Sequence, residues 1–155
     1  MSKTNAARLL DKQGVKYELV DYEVDEDDLS ATNVASKLGQ DINQVFKTLV
    51  LRGDKTGVFV TVIPGGDELD LKLAAKASGN KNCAMVAMKE ILDLTGYIRG
   101  GCSPLGMKKR YPIYIHKSCL DFPFIYVSAG VRGTQIKISP VDLIKSSGAQ
   151  ESVLI

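Results

Sequence analysis

The sequence holds few of the residues from which metal, disulfide or base-stacking sites are built. Tryptophan is absent and aromatic residues make up 6% of the 155 residues, which argues against an aromatic platform for stacking bases. There is one histidine, and the three cysteines have no C-x-x-C spacing, which argues against a zinc site. We therefore expect no metal and no other cofactor, and a reduced, cytoplasmic protein.

Long apolar runs are also missing. The N-terminal segment MSKTNAARLLDKQG has no apolar core of the kind found in secretory signals. No run approaches the roughly 20 apolar residues needed to span a membrane. The chain shows no low-complexity segment, internal repeat or linker, so we expect a single domain over residues 1–155 and no membrane partner.

The charge is nearly balanced but unevenly distributed. Twenty basic and eighteen acidic residues give a net charge of +2, which does not indicate a general nucleic-acid coat but leaves room for a local basic patch. Residues 21–28, DYEVDEDD, are acidic, and residues 107–110, MKKR, are basic. Each run is typical of a solvated loop. The acidic run could bind a cation weakly, but it lacks the spacing and glycine of an EF-hand.

Hydrophobic periodicity and glycine stops predict both helices and strands. The pattern favours an α+β fold around a mixed, mostly antiparallel and barrel-like sheet with peripheral helices, because hairpin-like strand pairs occur without strict strand–helix alternation. The strands are predicted at 15–22, 44–51, 58–63, 83–87, 111–116, 124–128 and 134–138. The helices are predicted after Ser2 or Thr4, after Ser30, over 69–78, near 88–94, and after Ser139, with Pro140 at the first position.

The segment QVFKTLVL, residues 44–51, places Lys47 within an apolar run. Both faces of this strand are largely apolar, which predicts a buried position, and a buried ammonium is costly unless it is paired. In one interpretation the lysine stem packs in the sheet while its head reaches water. In the other, the ammonium lies at the floor of a cleft and directs its charge at a ligand.

The segment GYIRGGCSPLG, residues 96–106, has four glycines and a proline in eleven residues and predicts a loop. It lacks the lysine–serine ending of a P-loop and the spacing of a dinucleotide fingerprint. It could be a structural turn. Alternatively, backbone N–H groups near Gly100 and Gly101 could hold an anion or a developing oxyanion.

Candidate enzyme nucleophiles are poorly supported by the sequence. His116 ends a predicted strand and no G-x-S-x-G elbow exists, which argues against serine–histidine–acid catalysis. Cys102 follows two glycines but has no evident histidine to activate it. A cysteine-dependent hydrolase remains one alternative.

Four segments together resemble the YbaK/EbsC family, free-standing relatives of the editing domain inserted in bacterial prolyl-tRNA synthetases. They are QVFKTLVL, GGDELDLKLAAKASG, GYIRGGCSPLGMKKR and YVSAGVRG. The resemblance extends over nearly the whole chain, and within the family the sequence is most similar to the YbaK branch of Cys-tRNA(Pro) deacylases.

The resemblance implies a trans-editing enzyme that removes cysteine from mischarged tRNA(Pro), and also from Cys-tRNA(Cys). The substrate's own thiol is expected to attack the ester, which would account for the absence of a visible enzyme nucleophile. The implied partners are the aminoacyl-tRNA 3′ end and prolyl-tRNA synthetase. Alternatives are a deacylase for another small amino acid such as alanine, and a non-catalytic module that binds tRNA or the synthetase.

The resemblance also assigns residue roles. Lys47 is expected to position the ester and stabilise negative charge, and main-chain N–H groups of the glycine loop are expected to face the scissile carbonyl. The implied loop residues are Gly100, Gly101, Ser103 and Pro104, and the implied pocket residues are Tyr22 and Ser128. The chain departs from the family pattern at Gln135, a position often acidic, and at Leu29 or Ser30, where a phenylalanine is expected. These departures leave the amino-acid preference open.

Overall fold

A computed structural model describes residues 3–155, and its helices begin at the side-chain caps that the sequence indicates. The Thr4, Ser30 and Ser139 hydroxyls accept backbone N–H groups at the starts of three helices, while Ser2, the alternative first cap, lies outside the described residues. The helices are α1 (Asn5–Lys12), α2 (Ala31–Leu38), α3 (Leu71–Ser78), α4 (Ile91–Thr95) and α5 (Pro140–Ser147).

The strands agree with the predicted ones apart from their ends and one addition. They are β1 (Glu18–Asp21), β2 (Phe46–Gly53), β3 (Gly57–Pro64), β4 (Cys83–Met85), β5 (Ile113–His116), β6 (Ile125–Ser128), β7 (Thr134–Ile138) and β8 (Gln150–Ser152). The sequence pattern did not predict β8. It is a short, mostly exposed strand that pairs with β5.

The strands form two sheets. The smaller has the order β1-β7-β6 with antiparallel neighbours, and the larger has the order β4-β2-β3-β5-β8. In the larger sheet β2 is antiparallel to β3 and β4, whereas the β3–β5 and β5–β8 pairs are parallel. The prediction of a mixed, mostly antiparallel α+β fold is therefore confirmed.

The expected barrel does not close within residues 3–155. The two sheets are linked by one isolated parallel bridge, between Val45 and Tyr126, where β2 passes β6. A closed barrel requires a continuous ladder of hydrogen bonds around the sheet, and this ladder is interrupted beside the first residues of β2. Lys47 lies close to that interruption.

The main core lies between the two sheets and helices α1 and α5. Leu10, Phe46, Ile115, Ile136 and Leu143 are buried there together with neighbours from both sheets. Burial of this apolar surface fixes the positions of β2 and β6. No helix within the described part of the chain is long and apolar enough to cross a membrane.

Candidate active site

Lys47 lies on β2 opposite Ile63 of β3 and is half-buried. Its Nζ donates to the carbonyl oxygen of Gly65 at 3.2 Å. Gly65 is tightly packed, since a Cβ atom there would lie 2.8 Å from the carbonyl oxygen of Val45. The Gly65 carbonyl that accepts from Lys47 is therefore held in place. None of the ion pairs between described residues includes Lys47, and its positive charge is therefore not neutralised by a salt bridge.

A cavity of about 460 Å³ opens beside Lys47. We call it the Lys47 cavity. It is lined by the first half of β2, by the glycine loop and by the acidic loop leading into α2. Lys47, Gly100 and Ser128 line the same cavity, although they lie far apart in the sequence.

This cavity explains the burial pattern of β2. The sequence predicts a strand buried on both faces, but Lys47, Thr48 and Leu49 are only half-buried. All three residues contribute atoms to the lining of the cavity. The apolar pattern of QVFKTLVL therefore marks a strand that is covered at its ends and open in its middle.

The glycine loop presents main-chain donors to the cavity. Gly100 has φ +82°, a left-handed conformation that residues with a side chain rarely adopt. The N–H group of Gly101 is used within the loop, where it donates to the carbonyl of Ile98 at 2.9 Å. The N–H groups of Gly100 and Cys102 donate to no acceptor within residues 3–155, and both residues line the cavity. These two N–H groups, on either side of Gly101, can donate hydrogen bonds to an anionic oxygen.

The remaining predicted site residues do not line the Lys47 cavity. Tyr22 is half-buried and packs on the apolar cluster that contains Val34 and Tyr126. Ser103 is 0% exposed, and its Oγ accepts the N–H of Leu105 at 3.3 Å. Pro104 lines a different cavity on the other side of the loop.

Arg132 joins the two loops that wall the cavity. Its Nε donates to the carbonyl of Arg99 at 2.8 Å, and its Nη1 donates to the carboxylate of Glu26 at 2.8 Å. Because the guanidinium is planar and rigid, the Arg132 side chain can hold the glycine loop and the acidic loop in a fixed arrangement. Arg132 was not predicted as a site residue, although it lies in the YVSAGVRG segment.

Several cavity residues were not among the predicted site residues, Thr48 and Leu29 among them, and Cys102 had been considered only as a nucleophile. The Oγ1 of Thr48 is buried and has no hydrogen-bond partner within the described residues. The sequence feature that could have indicated Thr48 as a site residue is its position directly after Lys47 in the F-K-T-L segment. The resemblance implies a phenylalanine at Leu29 or Ser30, and both of these residues line the cavity.

Neither of the candidates that the sequence offered as nucleophile or base, Cys102 and His116, suits that role in the cavity. Burial raises the pKa of the Cys102 thiol to about 11, which keeps it protonated at neutral pH. His116 does not line the cavity. It lies on β5, where burial lowers its pKa and its Nδ1 accepts the N–H of Leu154 at 3.2 Å. What the cavity does offer is a cation and two unpaired amides, an arrangement suited to holding an ester and stabilising its oxyanion.

Comparison with known proteins identifies the family. The model of the aminoacyl-tRNA editing domain matches residues 25–146, and the chain belongs to this family. The chain is 48% identical over 148 residues to the Enterococcus faecalis protein named "Putative Cys-tRNA(Pro)/Cys-tRNA(Cys) deacylase EbsC", covering 96% of this chain and 90% of that one. The resemblance stated from the sequence motifs is thereby confirmed.

Solved structures show the same fold. One, titled "Crystal structure of a putative trans-editing enzyme for prolyl tRNA synthetase", matches with a TM-score of 0.84 and 26% identity, over 99% of this chain and 98% of that one. Another, titled as the hypothetical protein APE2540, has a TM-score of 0.88 and 21% identity, over 97% and 99% of the two chains. Because the sequence identity is only 21%, the similarity to the second structure supports the fold and not a function.

Proposed function

We propose that this protein is a trans-editing deacylase that removes cysteine from mischarged tRNA(Pro) and from Cys-tRNA(Cys). The observation that carries the proposal is the meeting of Lys47 with the free amides of Gly100 and Cys102 around one cavity. Family membership and the similarity to the E. faecalis protein support the choice of substrate. Residues 1–155 would then form one editing domain acting in the cytoplasm.

The need for such an enzyme follows from the limits of amino-acid selection. Cysteine is close to proline in size, and a hydrophobic site rejects a near-isostere only weakly. A second site must therefore remove the error after it is made. We expect prolyl-tRNA synthetase to be the partner that presents the tRNA, because a protein with a net charge of +2 has little excess positive charge for gripping a whole tRNA.

In the proposed reaction the substrate supplies its own nucleophile. The cysteine sulfur attacks the ester carbonyl, the bond to the ribose oxygen breaks, and the thiol proton ends on that oxygen. The products are a cyclic thiolactone and free tRNA. The ammonium of Lys47 and the amides of Gly100 and Cys102 would stabilise the negative charge on the carbonyl oxygen. Ser128 would line the pocket for the amino acid, and Gly101 would shape the turn.

Tyr22, Ser103 and Pro104 stay predictions as substrate-binding residues. Their positions favour indirect roles. Tyr22 packs on the apolar cluster that contains Val34 and Tyr126. The hydroxyl of Ser103 stabilises the glycine loop by accepting the N–H of Leu105. We propose that they hold the walls of the Lys47 cavity rather than touch the substrate.

The central test removes the ammonium. Lys47→Ala should reduce deacylation of Cys-tRNA(Pro) by about 10²–10³-fold, the usual effect of losing one group that stabilises an oxyanion. Lys55→Ala, which removes an exposed lysine at the β2–β3 turn, is the matched control and should leave the rate unchanged. Circular dichroism should show that both variants are folded. Full activity in Lys47→Ala would remove this lysine from the mechanism.

A second test examines the substrate's thiol. Ser-tRNA(Pro) presents a hydroxyl where cysteine has a thiol, and a hydroxyl is a far weaker nucleophile at neutral pH. We expect its cleavage to be much slower than that of Cys-tRNA(Pro), measured as loss of the labelled amino acid from tRNA. Equal rates would indicate attack by water instead.

Two alternatives make different predictions in the same assay. A deacylase for another small amino acid would prefer Ala-tRNA(Pro), and the smaller Leu29 in the cavity wall is the feature that favours a shifted preference. A module that only binds tRNA or the synthetase would leave every mischarged tRNA intact. Running the panel with and without prolyl-tRNA synthetase also tests that partnership.

A further inference from the structure

A second cavity lies behind the glycine loop, between α1 and α5. Its volume is about 340 Å³. We call it the α1–α5 cavity. Leu9 and Gln13 of α1 form one side, Ser146 and Ser147 of α5 form another, and residues 104–111 close it. The loop that presents Gly100 and Cys102 to the Lys47 cavity thus continues directly into the wall of this one.

The charged side chains that line the α1–α5 cavity are all basic. Lys109 and Arg110 line it, and none of the described residues around it carries a carboxylate. Neither cation forms an ion pair or a side-chain hydrogen bond with another residue in the described part of the chain. Two unpaired cations beside a concave surface attract an anion.

An unpaired hydroxyl lies in the same wall. Ser146 is 8% exposed, and its Oγ is buried without a hydrogen-bond partner in residues 3–155. The neighbouring Ser147 differs, since its Oγ donates to the carbonyl of Leu143 at 2.7 Å. The Ser146 hydroxyl is enclosed, so Ser146 contributes to the wall of the cavity, and the attraction for an anion comes from the two cations.

The surrounding loop is rigidly built. The hydroxyl of Tyr97 donates to the carbonyl of Leu105 at 2.7 Å, and the hydroxyl of Tyr111 donates to the carbonyl of Leu94 at 2.8 Å. These bonds fix residues 104–111 on the body of the protein. A ligand held here therefore contacts a preformed surface, which reduces the entropy lost on binding.

We propose that the α1–α5 cavity binds a phosphate group, with Lys109 and Arg110 supplying the charge and the hydrogen-bond donors. Guanidinium and ammonium groups both suit phosphate, the former as a two-pronged donor and the latter as a point charge. The source can be a phosphodiester of the tRNA substrate, which rests on the proposed function, or a free phosphate. In the first case the enzyme holds its substrate on both faces of one loop.

The first experiment tests the site itself. Inorganic phosphate is titrated into the whole protein at constant ionic strength, and backbone amide shifts are followed by NMR. We expect saturable shifts in residues 104–111 and at Ser146. The double variant Lys109→Ala/Arg110→Ala should abolish them, whereas Lys72→Ala/Lys76→Ala, a pair of exposed cations on α3, should not. Absence of saturable shifts, or equal shifts in both double variants, would overturn the proposal.

The second experiment identifies the source. Binding of uncharged tRNA(Pro) is measured over a range of salt concentrations for the same proteins. If the phosphate belongs to tRNA, the Lys109→Ala/Arg110→Ala variant should bind more weakly and its log–log salt slope should fall by about 1–2, while the α3 variant matches the wild type. Phosphate-dependent shifts with an unchanged slope would assign the site to a free phosphate.

These outcomes are separable from the proposed function. Phosphate binding is measured without any aminoacyl ester, and it is assigned through residues other than Lys47. Should Lys47→Ala retain full deacylation while phosphate still binds through Lys109 and Arg110, only the mechanism at the Lys47 cavity fails. Should Lys47→Ala behave as expected while phosphate does not bind, only the α1–α5 site fails.

Discussion

Replacing Gly100 with alanine would test whether the glycine loop acts through its amides. Gly100 and Gly96 both have φ +82° and lie four residues apart in the same loop region. A Cβ atom at Gly100 would lie 3.2 Å from Cδ1 of Leu29 and 3.3 Å from Nε of Arg132. At Gly96 the nearest atom would be Cβ of Lys108, at 3.6 Å. The two substitutions therefore share the backbone strain and differ in what they disturb at the cavity.

The stability cost should be similar for both. A left-handed conformation costs an L-residue about 1–2 kcal/mol relative to glycine. For a chain of this size, that corresponds to a fall in Tm of about 2–8 °C. The contacts at Gly100 are with side chains that can move by a few tenths of an ångström, so we expect little additional loss of stability there.

The catalytic cost should differ strongly. A Cβ at Gly100 presses on Arg132, which holds the Arg99 carbonyl, and it shifts the N–H groups of Gly100 and Cys102. Loss of one such donor typically reduces the rate by about 10²–10³-fold. Deacylation of Cys-tRNA(Pro) and thermal unfolding are measured for both variants. If Gly100→Ala and Gly96→Ala lose the same small amount of activity, the loop amides are not part of the mechanism.

Two further predictions concern titratable groups. Cys102→Ala should keep wild-type-like activity, because burial raises the pKa of that thiol to about 11 and it cannot supply a thiolate near neutral pH. A large loss of activity with intact folding would instead support a cysteine-dependent hydrolase. Burial lowers the pKa of His116, so the folded state binds its proton less readily than the unfolded state does. Stability should therefore decline as pH falls from about 6.5 through that lowered pKa, when Nδ1 stops accepting the Leu154 N–H. Urea unfolding at pH 5 and pH 7 should show this decline, and His116→Asn should show less of it.

Much of the local structure follows from short-range chemistry that the sequence displays. The caps at Ser30 and Ser139 and the first-turn Pro140 have the expected positions, because a hydroxyl or a fixed φ acts within one turn. Strand ends depend on partners instead. Residues 15–17 alternate like a strand, yet β1 begins at Glu18, where its pairing with Lys137 of β7 begins. Strand β8 consists of Gln150–Ser152, and only β5 makes it a strand.

The same distinction applies to the candidate site: some of its features could be predicted from local sequence, and others could not. The sequence identified Lys47 and the glycine loop, since an ammonium in an apolar run and clustered glycines are each unusual on local grounds. It could not show that the N–H of Gly101 is already used within the loop, that Ser103 is enclosed there, or that Pro104 lines a different cavity. Which side of a loop a residue occupies depends on dihedral angles that several glycines leave free.

The sequence by itself determined the family, the secondary-structure types and the lysine at the centre of the proposed chemistry. The tertiary structure decided which groups meet that lysine, how the Arg132 guanidinium joins the two cavity walls, and that Lys109, Arg110 and Ser146 share a second cavity. The physical reason is that helix caps and strand alternation are set by neighbours in the chain. A cavity is set by elements far apart in sequence, and their approach is fixed by burial of the common core.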